Sequence, residues 1–426
     1  MVTPTTFLGR QVGIRPTPPS GFRQDVVMDL DVARVRSSFP ALSQGVAYFD
    51  SPGGTQVPRQ VAQAMADTSC SGISNRGTVT AAERRAGSVV TEARAAVADL
   101  LGCTTDGVVF ARSMTQVTFD MARALAKRWG PGDEVVVTRL DHDANIRPWV
   151  IAAESAGATV RWVGFDRKTG ELSVDSVAAE LSPRTRLVAV TGASNLLGTR
   201  PDVAAIVSAA HDVGALVYVD GVHLTPHVPI TLSELGADFY ACSPYKFLGP
   251  HHGLVVADPA LLEELHPDKL LPSSNDVPER FELGTLPYEL LAGTTAAIDF
   301  IADIASTATD RRTRVLESMR ALEKYENRLF ARMLDGLSAI DKVTLYGAPK
   351  LCTPTALFSI AGHTPQETYE HLGRLDVNAP ASAFYAIEAS LWLGLGETGA
   401  VRAGLAPYSN DDDVDRLVAG VAELAR

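Results

Sequence analysis

Two hydrophobic periodicities alternate along this chain from about residue 58 onward. Residues 80–101 (TAAERRAGSVVTEARAAVADLL) place apolar side chains at helical spacing and end at Gly102, which predicts a helix. DGVVFAR then reads as a strand, and TQVTFDMARALAKRW as a helix stopped by Gly130, Pro131 and Gly132. The alternation continues through the strand DEVVVTRL, the helix IRPWVIAAESAG, the strand ATVRWVGF, the short helix SVAAELS and the strand TRLVAVTGAS. PDVAAIVSAAHDVG reads as a helix with proline in its first turn and glycine at its end, and ALVYVDG as the next strand. LVAVTGA and ALVYVD are apolar on both faces, which suits interior strands of a parallel sheet covered by helices.

Alternating βα units over about 200 residues predict an α/β fold with a doubly wound, mainly parallel sheet. After about residue 285 the pattern changes. A long helical stretch (285–337) leads to KVTLYGA, TALFSIAG, QETYEHLGRL and VRAGLAPY, and then to a helix beginning at Asp411. This predicts a smaller α+β C-terminal domain. Residues 1–27 are expected to be a flexible N-terminal extension, because MVTPTTFLGRQVGIRPTPPS is polar, proline-rich and lacks the apolar core of a secretion signal. The expected division is then 28–300 for the large domain, with its N-terminal segment contributing to the small one, and 301–426 for the small domain.

Composition narrows the function classes. The 426 residues are 46% hydrophobic and 21% charged, ordinary for a globular protein, and the net charge is −12. Such a surface repels phosphate backbones and anionic membranes, so nucleic acid and membrane are not expected partners. No apolar run approaches the roughly 20 residues needed to cross a bilayer. Cys70, Cys103, Cys242 and Cys352 are scattered, with no CxxC pair and no metal spacing, which points to a reduced, cytoplasmic setting.

In open α/β sheets ligands bind beyond the carboxyl ends of the strands. ALVYVD ends in Asp220, followed by Gly221, Val222 and His223. Ser243-Pro244-Tyr245-Lys246 follows the apolar-rich DFYAC. A lysine at a strand end can form an imine with an aldehyde cofactor, and pyridoxal phosphate (PLP) needs a buried carboxylate to keep its ring nitrogen protonated. Lys246 and Asp220 fit those two needs. Taken singly, each has a plainer reading, a surface charge for Lys246 and a turn or cap residue for Asp220. Their pairing at strand ends favours chemistry. Ser113-Met114-Thr115-Gln116 opens a helix after VVFAR, where free N–H groups can hold a phosphate, although a plain N-cap has the same sequence. His142, after DEVVVTRL, can stack on a flat cofactor or serve as a turn residue. Asn195, after LVAVTGA, can donate to the cofactor's phenolic oxygen or sit in an ordinary turn.

Other classes are open to the same residues. Asp220, His223 and His227, with Asp141-His142-Asp143, suggest a metal hydrolase, but Pro226 and Pro229 argue against the helix that would put the two histidines on one face. No metal is expected. Ser243-x-x-Lys246 with Lys168-Thr169-Gly170 mimics a serine acyl-enzyme, in the wrong order. A non-catalytic PLP-binding protein is the third alternative.

At this point the chain resembles the cysteine desulfurase-like, class V aminotransferase branch of fold-type I PLP-dependent enzymes. The matching segments are YFDSPGGTQVP (48–58), SNRG (74–77), SMTQ (113–116), DHDANIRPW (141–149), SNLLGT (194–199), DGVH (220–223), SPYKFLGP (243–250), ELGT (282–285) and VRAGLAPY (401–408). Each is weak alone; their joint order is specific. The resemblance implies that Lys246 is the Schiff-base lysine, that Asp220 pairs with the pyridinium and that His142 stacks on the ring. It implies that Asn195 and His223 approach the phenolic oxygen, and that Met114, Thr115 and Ser243, with Tyr245, hold the phosphate. Thr285 would reach the phosphate of a neighbouring subunit in a homodimer. Arg402 would bind the carboxylate of a small amino acid substrate as a bidentate fork.

The chain also departs from that pattern. Cysteine desulfurases carry a mobile cysteine in the loop corresponding to residues 376–388, which here reads DVNAPASAFYAIE. His223 stands where those enzymes have glutamine, and Tyr245 where they have histidine before the lysine. The expectation is therefore an aminotransferase-like or C–S/β-lyase enzyme. The alternative is desulfurase or selenocysteine lyase activity without the usual thiol.

Overall fold

The structure, a computed structural model, describes residues 30–426. The extension expected over 1–27 lies outside the described residues. The strands in chain order are β1 (Ala47–Tyr48), β2 (Val108–Ala111), β3 (Glu134–Thr138), β4 (Thr159–Val163), β5 (Thr185–Thr191), β6 (Leu216–Asp220), β7 (Phe239–Cys242), β8 (Gly253–Ala257), β9 (Val343–Tyr346), β10 (Thr355–Ile360), β11 (Val377–Asn378), β12 (Ala381–Ser382) and β13 (Ala400–Gly404).

Seven of them form one sheet in the order β2-β8-β7-β6-β5-β3-β4. Pairing is parallel from β7 through β6, β5 and β3 to β4, and only β8 runs against its neighbours. The doubly apolar strands are explained by cover on both faces. Val188, Val190, Val217 and Val219 enter one buried cluster, while Leu187, Ala189 and Tyr218, one residue out of phase, enter the other. Four further strands form an antiparallel sheet, β12-β13-β10-β9, and β1 pairs with β11 in parallel. The expected α/β fold with a mainly parallel large sheet and a smaller α+β part is what the chain adopts.

Local signals explain most helix ends. The helix Ala81–Leu101 begins on a capping box, with Thr80 Oγ1 accepting from the Glu83 N–H at 3.2 Å and Glu83 Oε2 accepting from the Thr80 N–H at 2.8 Å. It ends at Gly102, whose φ of 69° suits a residue without a Cβ. The stretch 285–337, expected as one helical run, is two helices, Tyr288–Ala302 and Arg311–Ser338. Ser318 Oγ donates to the Ala302 carbonyl at 2.8 Å and accepts from the Ala305 N–H at 3.0 Å, stopping the first helix. Asp310 caps the second by accepting from the Thr313 N–H at 2.9 Å. The second helix joins two cores. Its Val315, Met319 and Leu322 pack beneath the large sheet, and Leu329, Phe330 and Met333 pack against the small one.

Candidate active site

The ends of β2, β3, β5, β6 and β7 face one cleft of about 690 Å³. Ser113, Met114 and Thr115 reach it from the turn after β2, His142 from the turn after β3 and Asn195 from the turn after β5. Asp220 is the last residue of β6, and Ser243, Tyr245 and Lys246 follow β7. Arg402 arrives from β13 of the small sheet, and His223 also lines the wall. Of the residues that the resemblance implies for cofactor and substrate, Thr285 is the exception: it is solvent-exposed and outside this cleft.

The turn after β2 is built for close approach. Ser113 caps the helix Met114–Ala126 by accepting from the Gln116 N–H at 3.1 Å. The first N–H groups of a helix have no partner within it and carry its positive dipole end. Gly253 on β8 lies so near that a Cβ there would stand 2.0 Å from the Met114 nitrogen. The helix start can therefore sit against the sheet and point into the cleft.

The titratable groups on the floor are strongly perturbed. Asp220 is 5% exposed, and burial pushes its carboxyl up to about 6, against the opposing effects of the Val222 N–H on Oδ1 at 2.9 Å and of Lys246. Burial, then the charge of Arg402, pushes Lys246 down to about 7. Its Nζ donates to the Pro52 carbonyl and lies 4.9 Å from the Tyr245 ring centroid. Tyr245 in turn stacks on His251 with centroids 4.7 Å apart. Arg402, 2% exposed, is lowered to about 9 by burial. A lysine that loses its proton near pH 7, a buried carboxylate and a buried guanidinium thus share one cavity.

The two histidines are neutral. His142 is lowered to about 3 by burial and then by Lys246 and Arg402. Its Nδ1 accepts from the Ala144 N–H at 3.0 Å, so any ring proton sits on Nε2. Its ring stacks against Tyr385 at 5.6 Å. His223 is likewise lowered by burial, and its Nε2 lies 2.9 Å from Thr355 Oγ1 and 3.0 Å from Thr353 Oγ1. His227 turns away to Glu326, with Nδ1 2.8 Å from Oε2. His227 lies outside the cleft lining, and no group of three or more His, Cys, Asp or Glu among the described residues is arranged to hold a metal ion.

Some cleft residues escaped the sequence reading. Phe119 lies one helical turn beyond Thr115, a spacing that could have revealed it. Arg147 sits inside DHDANIRPW and pairs with Asp143 at 2.8 Å and Glu388 at 2.5 Å. Pro52 and Gly53 lie in the matched YFDSPGGTQVP. Asp141 is wholly buried behind the floor, where desolvation raises its carboxyl to about 8. None of the four cysteines lines the cleft. No helix among the described residues is long and apolar enough to cross a membrane.

Comparison with known proteins gives the site a family context. The chain is 35% identical over 401 residues to the uncharacterized protein MT3887 of Mycobacterium tuberculosis, spanning 93% of this chain and 100% of that protein. It is 30% identical over 401 residues to the aminotransferase-like protein FGM3 of Gibberella zeae, spanning 91% and 96%. It is 29% identical over 429 residues to a cysteine desulfurase of Yersinia pestis, spanning 94% and 99%. Among solved structures, the cysteine desulfurase CsdA of Escherichia coli superposes with a TM-score of 0.81 at 27% identity, covering 92% of this chain and 98% of that one. The apo cysteine desulfurase of Thermococcus onnurineus superposes with a TM-score of 0.84 at 24% identity, covering 93% and 98%, a likeness of fold. The class-V aminotransferase family matches residues 47–417, and this chain belongs to it, in the cysteine desulfurase-like branch of pyridoxal-phosphate-dependent enzymes.

Proposed function

We propose that the chain binds PLP covalently through Lys246 and works at the α-carbon of a small amino acid, by transamination or by loss of a substituent from the β-carbon. The observation that carries this reading is the pairing of a buried lysine, lowered to about 7, with a buried carboxylate and a buried arginine in one cleft.

The residues fit the cofactor. Two buried polar atoms in the cleft, Asn195 Oδ1 and Arg402 Nε, have no partner in the protein, and buried polar atoms are normally paired. Met114, Thr115 and Ser243, with Tyr245, would hold the phosphate at the helix start. Asp220 would keep the ring nitrogen protonated, and the flat, neutral His142 would lie on the ring. Asn195 and His223 would lie near the phenolic oxygen. When bound, PLP supplies an electron sink for charge developing at the substrate α-carbon. Lys246 would then take and return the α-proton, a task suited to an amine that titrates near 7. Arg402 would receive the substrate carboxylate.

Thr285 would serve the cleft of a second copy in a homodimer. Leu283, two residues before Thr285 in the chain, also leaves its apolar side chain exposed. Desulfurase activity is the second reading, favoured by the named relatives. The absence of cysteine from residues 376–388 and from the cleft wall weighs against it. Burial raises the thiols of Cys103, Cys242 and Cys352, which keeps them protonated and poorly nucleophilic. The test is spectroscopic. Purified holoprotein is expected to show the visible absorbance of a lysine-bound aldehyde, and Lys246→Ala to lack it; retention of that band in the variant refutes the reading.

A further inference from the structure

The segment after β12 carries two consecutive non-glycine residues in the left-handed region, Phe384 with φ 52° and Tyr385 with φ 55°. Each such residue is strained and persists only where its surroundings hold it. Here the surroundings are specific. Asn195 Nδ2 donates to the Phe384 carbonyl at 2.9 Å, and the Asp143 N–H donates to the Tyr385 carbonyl at 2.7 Å. The Phe384 N–H donates to Ser382 Oγ at 3.0 Å. The result is a phenyl ring laid on the Arg402 guanidinium, with Cζ 3.7 Å from the ring centroid. Arg402 Nη1 closes the circuit by donating to the Asn195 carbonyl at 2.9 Å.

Asn195, Phe384 and Arg402 therefore form one clamp, assembled from the large sheet, the strained loop and the small sheet. Asn195 Oδ1 and Arg402 Nε are left over, buried and without partners. We propose that Phe384 is a positioning and specificity-determining residue, whose ring fixes the Arg402 guanidinium so that its free edge selects substrates bearing an α-carboxylate. This rests on the reading of Arg402 as the carboxylate site. An arginine's five donors lie in the plane of its guanidinium; Phe384 against one face sets that plane and the Asn195 carbonyl takes one donor, so the free edge points one way. The ring also excludes water from that face, and an ion pair gains strength as water leaves. Burial already lowers Arg402 to about 9, the mark of a desolvated cation to which a substrate carboxylate would bring a counter-charge.

The test uses PLP-loaded enzyme and two probes, L-alanine and ethylamine, which differ by the carboxylate. The readout is the concentration of each that half-saturates the change in cofactor absorbance. Phe384→Gly removes the ring and tolerates the left-handed backbone. It is expected to raise the value for L-alanine by about thirtyfold, the worth of a desolvated cation–π contact, while ethylamine moves by less than about twofold. Phe384→Tyr, which keeps the ring, is expected to restore the L-alanine value. An equal shift for both probes, or no shift for either, overturns the proposal. If the glycine variant does not hold cofactor, Phe384→Leu keeps apolar bulk without a π face; a several-fold loss confined to L-alanine supports the proposal, and an unchanged value overturns it. Arg402→Gln, which removes the charge, separates the two levels. If that variant keeps the preference for L-alanine over ethylamine, the carboxylate reading fails and this inference with it. If it loses the preference while Phe384→Gly shifts nothing, this inference fails alone.

Discussion

His227 Nδ1 and Glu326 Oε2 lie 2.8 Å apart with both side chains almost wholly buried, tying the turn after β6 to the helix Arg311–Ser338. The same turn carries His223, whose ring meets that of His227 edge to face at 5.2 Å. The pair therefore anchors one wall of the cleft to the helix that joins the two cores.

Breaking that anchor is expected to be costly. Glu326→Ala leaves the buried His227 Nδ1 without a partner, a loss of about 1–3 kcal/mol on top of the cavity it opens. Glu326→Gln keeps the shape and one hydrogen bond, and is expected to lose about 1–2 kcal/mol. Urea unfolding of the cofactor-free protein measures both. Equal, small losses would mean that the pair contributes little.

Lys246 gives a pH dependence with a definite sign. Only a neutral amine attacks an aldehyde, and burial with Arg402 lowers this amine to about 7. The rate of covalent PLP attachment to the cofactor-free protein is expected to rise with pH, reach half its plateau near pH 7 and flatten above it. A lysine at its ordinary value of about 10.4 would still be gaining at pH 9. Arg402→Gln removes a positive neighbour, so the midpoint is expected to move upward. Stopped-flow absorbance across pH follows both curves.

Asp220 separates binding from turnover. Its carboxylate is buried and its Oδ1 accepts from the Val222 N–H. Asp220→Ala is expected to retain part of the bound cofactor, because the helix start and Lys246 remain, yet to lower kcat by about 10²–10⁴. Cofactor content and steady-state rate on the same preparation decide it. A near-normal rate would remove Asp220 from the chemistry.

The sequence was most legible where the physics is local. The two-faced apolar run of β5 and the strand end at Asp220 follow from neighbouring residues alone, and so does the helix end at Gly102. Lys246, Asp220 and Arg402 were nameable because a parallel sheet collects ligands at one end and because the motifs keep a family order. What stayed hidden depends on chain segments far apart. Nothing near Phe384 announces that its ring will cover Arg402, and nothing near His227 announces Glu326. The break at residues 303–310 also escaped, because Ser318 reaches back to the Ala302 carbonyl only after the two helices fold together.

Gly253 tests whether the helix start after β2 is the cofactor's anchor. A Cβ at this position would stand 2.0 Å from the Met114 nitrogen and 2.2 Å from the Ser113 carbonyl carbon, contacts with backbone that no side-chain rotation relieves. Gly253→Ala must therefore push the start of the helix Met114–Ala126 away from β8, displacing the N–H groups that would face the phosphate. Overpacking of this kind costs about 1–3 kcal/mol, which thermal unfolding would register. The more telling effect is on the cofactor, since a shift of about 1 Å in a positioned group can cost orders of magnitude; PLP dissociation is expected to become at least about tenfold easier. Gly87, on the helix Ala81–Leu101, is the control, because a Cβ there meets nothing within 4 Å. Gly87→Ala is expected to stabilise the fold by about 0.5–1 kcal/mol and leave PLP binding unchanged. If Gly253→Ala binds PLP as tightly as Gly87→Ala, the phosphate is held somewhere other than the Ser113–Thr115 turn.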